Sequence, residues 1–167
     1  MLKVFKYEET KRENIKFDIY IPINIEFGEW NILKEPTIYW RTGDLSGSLI
    51  EIGIGQYNKE VRSITLTICK NVYQIDYIPE KNLKILKGSP ILELENINGQ
   101  LYTDEKEILE VYIGIKSITI IFSKNEIKEC LQNENVRFYI DDNKSFVGLS
   151  VNNISEENKA TIKQALS

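Results

Sequence analysis

Histidine does not occur anywhere in this sequence. Its absence excludes Ser-His-Asp and Cys-His nucleophile arrangements, His-ligated zinc and imidazole as a general base. Cysteine is confined to Cys69 and Cys130, which is no disulfide framework. Both are expected to be small buried side chains rather than nucleophiles. Alanine occurs only at 160 and 165, while isoleucine, lysine, asparagine and glutamate abound. The strongest helix former is nearly missing, and the β-branched residues that suit a pleated, half-buried surface are plentiful. A basic excess is also missing: the net charge is -4 and the pI about 5.1. Non-specific nucleic-acid binding draws its affinity from neutralised phosphates, so no nucleic-acid partner is expected. No run approaches the ~20 apolar residues that span a bilayer. The first residues, Met1 to Tyr7, alternate apolar and charged side chains and form no continuous leader core. The expectation is a cytoplasmic protein with free thiols and no membrane partner.

What is present is ordinary for a globular domain: 42% hydrophobic and 28% charged residues. A chain of 167 residues fits one domain spanning 1–167 and is long enough for a sizeable core.

Period-2 alternation dominates. Lys16–Ile21 and Thr37–Arg41 read as strands. Leu49–Cys69 reads as a hairpin turning at Gly55–Glu60, with Ile50, Ile52 and Ile54 facing Ile64, Leu66 and Ile68. The other face carries Glu51, Gly53, Ser63, Thr65 and Thr67, a polar surface. Asn71–Tyr77 reads as the next strand of a meander. Asn98-Gly99 is a two-residue hairpin signal between Leu92–Glu95 and Gln100–Tyr102. Along Val111–Phe122 the apolar parity slips near Lys116-Ser117, which predicts a bulge or break. Ser123–Glu126 fits a capping box, with Phe122 and Ile127 as its staple, and predicts a short helix near 124–132. Val136–Ile140 and Phe146–Val151 form another hairpin. Ser155 caps a last helix with Glu156 and Glu157 in its first turn. The fold class expected is therefore α+β: predominantly antiparallel sheet built of hairpins and a meander, with two short helices in the C-terminal third.

Motifs that carry chemistry are few. The glycine-dense loop Gly43–Ser48 lacks the Gly-Lys-Ser/Thr and following helix of a phosphate-cradling loop, and a plain surface loop accounts for it. It is preceded by Tyr39, Trp40 and Arg41, residue types enriched at binding hot spots. These three, with Asp44, are candidate partner-binding residues. The run from Asp104 to Glu110 is acidic; as a solvated edge it needs no function, but Glu105, Glu107 and Glu110 also suit a basic partner. No catalytic residue, metal ligand or cofactor is expected.

The segment Trp40–Ile54, WRTGDLSGSLIEIGI, resembles stretches of small β-rich immunity proteins from bacterial polymorphic-toxin and contact-dependent inhibition systems. That resemblance implies a cytoplasmic protein that binds and blocks one cognate toxin domain; the acidic run and the missing catalytic kit add the expectation of a non-enzyme whose partner is basic at its contact surface. It carries over no functional residue. Two alternatives remain open: a ligand-binding or structural β-module, and a histidine-free hydrolase using paired carboxylates such as Glu93 and Glu95. Oligomeric state is not legible.

Overall fold

The computed structural model describes residues 1–29, 35–79, 83–95 and 99–167. The alternating N-terminal residues form β1 (Lys3–Glu8), paired antiparallel with β9 (Ser89–Glu93) in a two-stranded ribbon. A six-stranded sheet runs β10 (Tyr102–Lys106), β4 (Thr37–Gly43), β5 (Leu49–Gly55), β6 (Val61–Ile68), β3 (Ile23–Phe27), β2 (Glu13–Lys16). A seven-stranded sheet runs β7 (Asn71–Tyr73), β11 (Glu110–Ile113), β12 (Ser117–Ile121), β15 (Phe146–Asn152), β14 (Val136–Ile140), β13 (Glu129–Gln132), β8 (Lys84–Lys87). The single helix among the described residues is α1 (Glu156–Ala165).

The two large sheets share one apolar core. Ile25, Trp40, Ile52 and Leu66 from the first meet Val111, Ile120, Phe138 and Leu149 from the second in one buried cluster. Aromatic contacts bridge the layers: Phe27 to Phe138 at 5.6 Å and Trp40 to Phe122 at 5.5 Å between centroids. Alternation along each strand sends one parity into this layer and leaves the other outside, as face-to-face sheet packing requires. A smaller cluster, including Ile121, Cys130, Tyr139 and Val147, lies on the other side of the seven-stranded sheet under Tyr77 and Leu83.

Several locally encoded elements form as the sequence predicts. The β5–β6 hairpin pairs Ile50 with Leu66 and Ile52 with Ile64. A register shift between Leu49 and Ile50 turns Ile68 outward, so it is 47% exposed rather than on the buried row. The parity slip near Lys116-Ser117 is a turn in which Gly114 N–H donates to the Ser117 carbonyl at 2.9 Å, and it makes β11–β12 a hairpin. Ser155 Oγ accepts from Asn158 N–H at 3.1 Å and caps α1, whose Ile162 is buried.

Five expectations are corrected. The described residues hold one helix, not two. Ser123 Oγ does accept a backbone N–H, from Asn125 at 3.2 Å, but only a local turn follows. Residues 129–132 pair as β13 with β14 and β8, sending Cys130 and Leu131 to opposite sides of the sheet. Ladder pairing on both sides outweighs a local capping signal. The sheets are mixed: β10–β4, β11–β7 and β13–β8 are parallel. β7 leaves the expected meander and joins the opposite sheet beside β11. The strand predicted over Lys16–Ile21 ends at Lys16, where Asp18 Oδ1 captures the Tyr20 N–H at 2.8 Å in a local turn. In the hairpin predicted at Asn98-Gly99, Asn98 lies outside the described residues. Its flanks do not pair with each other; β9 pairs with β1 and β10 with β4.

Candidate functional site

The parallel β4–β10 ladder brings together two segments that are far apart in the chain. Tyr102 registers with Tyr39, Thr103 with Trp40, Asp104 with Arg41, Glu105 with Thr42 and Lys106 with Gly43. The outward face of this ladder carries an aromatic and charged cluster. The Tyr39 and Tyr102 rings stack at 5.3 Å with an 18° interplanar angle. The Arg41 guanidinium lies 4.8 Å from the Tyr102 ring centroid, within cation–π range. Arg41 Nε and Nη2 donate to Asp104 Oδ1 and Oδ2 at 2.7 and 2.9 Å, a bidentate fork. Glu51 stands opposite Arg41 on β5; burial pushes its carboxyl pKa up, against the pull of Arg41. Burial and then the Glu51 charge raise the Tyr39 phenol.

β10 is the last strand of its sheet, with no strand hydrogen-bonded to its outer side among the described residues. Tyr39 N–H donates to Leu101 O at 2.8 Å and Glu107 N–H to Gly43 O at 3.3 Å. The parallel ladder therefore uses the backbone groups of the odd-numbered residues, and those of Tyr102, Asp104 and Lys106 point away from the sheet. An open edge of this kind is a template for a further strand.

The candidate residues separate under this geometry. Trp40 has the opposite parity from Tyr39 and Arg41 and is fully buried, with its ring against Phe122; it belongs to the core. Thr42, also buried, donates through Oγ1 to Glu105 O at 2.8 Å and pins the two strands together. Asp44 organises the loop that follows. Its Oδ1 accepts from the N–H groups of Ser46, Gly47 and Ser48 at 2.9, 2.7 and 2.8 Å, and Lys70 Nζ lies 3.0 Å from Oδ2. The Gly47 and Ser46 amides and the Lys70 ammonium hold its carboxyl well below the usual carboxylate range. Gly43 begins the loop at φ 123°, where a Cβ would sit 2.1 Å from Ser48 O. The loop is thus a fixed support for the end of β4.

Of the acidic residues, Glu105 accepts from the Met1 amino group at 3.0 Å. Glu107 is exposed just beyond β10. Glu110 lies on β11 in the other sheet and accepts from Tyr112 Oη–H at 2.8 Å. Tyr102, Asp104 and Glu51 are not among the partner-binding candidates that the sequence offers. Asp104 sat in plain view at the start of the acidic run, but only the long-range parallel pairing puts it against Arg41.

Cys69 and Cys130 are buried, and burial raises both thiols, Cys130 to about 11. Among the described residues, no cluster of three or more Cys, Asp or Glu is placed to hold a metal ion, and no helix is long and apolar enough to cross a membrane. No protein-family model matches the chain, and a search of curated proteins gives no match.

Proposed function

We propose that this chain is an immunity-type protein that binds and neutralises a cognate bacterial toxin domain, using the β10 edge and the outward face of β4–β10 as its contact surface. The observation that carries the reading is the convergence of an open strand edge, a stacked tyrosine pair and an arginine fork in one place. Tyrosine and arginine supply contact area and directional hydrogen bonds of the kind that dominates interface energetics. A strand of the partner pairs with the outward backbone groups of Tyr102, Asp104 and Lys106, as in β-strand addition. Glu107, exposed just beyond β10, favours a basic partner by long-range attraction, which speeds encounter and rejects acidic competitors; the charges of Asp104 and Glu105 are already balanced by Arg41 and the Met1 amino group. The same charges also protect an unpaired edge from self-association. The protein acts in the cytoplasm and by binding alone, without catalysis.

Affinity capture from the native host followed by mass spectrometry identifies the partner, and co-expression tests its relevance. The expected result is that the captured protein arrests growth when expressed alone and that this chain restores it. A captured protein without toxicity, or rescue that survives Tyr102→Ala combined with Arg41→Ala, overturns the reading.

A further inference from the structure

A second feature lies on the opposite side of the molecule, on the outward face of the seven-stranded sheet. Arg137 sits in the middle of that face on β14, in register with Gln132 of β13 and Ser150 of β15. Its Nε is buried without a hydrogen-bond partner. Among the described residues the guanidinium has no ion pair either. The Nε donor has lost its water without gaining an acceptor, whereas the terminal Nη groups of this half-buried side chain are not shut off in the same way and are the ones an anion in the cavity would meet.

Arg137 lines a cavity of about 480 Å³ together with Asp76, Lys116, Glu134, Asn152 and Asn153. That volume falls within the roughly 300–1,000 Å³ typical of small-molecule sites. The acidic side of the cavity is built, not incidental. Asp76 Oδ1 accepts from Ile115 N–H at 2.9 Å. It can stand there only because residue 114 is glycine, since a Cβ at that position would lie 2.0 Å from the same oxygen. The amide of Asn152 is fixed by donation to Asn135 O at 3.0 Å, and that of Asn153 by donation to Asn135 Oδ1 at 2.8 Å.

The charges in the lining decide what fits. Arg137 and Lys116 are cationic, Asp76 and Glu134 anionic, so the cavity is neutral in sum and polarised. A multiply charged anion such as phosphate is repelled by the two carboxylates, and an apolar ligand finds too little apolar wall. A guanidinium fork matches a carboxylate in two-point geometry, and the carboxylates match an ammonium group. We propose that this cavity binds a small zwitterion of the amino-acid type, its carboxylate on Arg137 and its ammonium on the Asp76 and Glu134 side. The site is independent of the sheet edge and adds a ligand-binding activity to the protein.

The test is a two-dimensional NMR titration of the whole chain, following backbone amides and the Arg137 side chain. The probes are a mixture of the common L-amino acids, then its members singly, with acetate, methylammonium and inorganic phosphate as controls. The expected result is saturable shifts at Arg137, Asn152 and Asn153 with one or a few amino acids, and binding of acetate or phosphate weaker by about tenfold or more. Arg137→Gln abolishes the response. Arg137→Lys, which keeps charge but not the fork, weakens it. Glu134→Gln, at an exposed position, weakens amino-acid binding and does not weaken that of acetate, which loses a repelling charge. No saturable shift at millimolar amino acid overturns the proposal. So does phosphate or acetate binding as tightly as any amino acid, or an unchanged response in Glu134→Gln.

Discussion

Arg41 and Asp104, 63 positions apart in the chain, meet on neighbouring parallel strands through two hydrogen bonds of 2.7 and 2.9 Å. The pair is a third to two-fifths exposed, where an ion pair contributes roughly 0–1 kcal/mol to stability. Its weight lies in holding the guanidinium over Tyr102. Arg41→Ala and Tyr102→Ala should therefore leave thermal stability nearly unchanged, and each should weaken binding to the captured partner by about 1–4 kcal/mol, chiefly through faster dissociation. Surface-binding kinetics check both halves.

The acidic run divides between two sheets, and its residues should behave differently. Glu107→Lys should slow association with a basic partner, with the loss shrinking as salt rises, because exposed charges act over a screening length of roughly 8–10 Å. Glu110→Lys should not slow it, since Glu110 is on β11 and engaged by Tyr112. Stopped-flow association rates at low and high salt distinguish the two.

Ile52 and Leu66 are fully buried in the hairpin that supplies the middle of the six-stranded sheet. Ile52→Ala or Leu66→Ala should each cost about 2–5 kcal/mol, from lost burial and the cavity left behind. Denaturant titration measures this directly.

Asp44 has a carboxyl pKa lowered from an ordinary 3.8. A carboxylate with a depressed folded-state pKa contributes stability that is complete above its unfolded pKa and lost as pH falls through the folded value. The Ser46–Ser48 amides should thus stay protected from exchange at pH values where a free aspartate is already protonated. Asp44→Asn should remove that acid resistance and loosen the loop at neutral pH. Amide exchange across an acid series reads both effects.

Local signals in the sequence translated well. The β5–β6 and β14–β15 hairpins and the Ser155-capped helix rest on alternation, short turns and one side chain, all visible within a few residues. The parallel pairs were not legible, because β4–β10, β7–β11 and β8–β13 join segments with no connecting turn to betray them. Ser123 shows the converse: its cap signal was genuine but too weak against two flanking strands. Trp40 could have been placed. It shares parity with Ile38 and is directly opposite Ile52, which marks it as a core residue, while Tyr39 and Arg41 remain outside. The candidate surface was half visible, as β4 and the acidic run, and its other half was their adjacency.

Addition of a partner strand to the open side of β10 is tested by Lys106→Pro. Proline at 106 removes a backbone donor that points away from β4 and spares the ladder inside the sheet, so edge positions tolerate it. The expected result is an unchanged melting temperature and a loss of affinity for the captured partner of at least about tenfold. Thr103→Pro serves as the control, since it removes a donor that faces β4 and should destabilise the protein. A Lys106→Pro variant that folds normally and binds the partner with unaltered affinity would contradict strand addition at this edge.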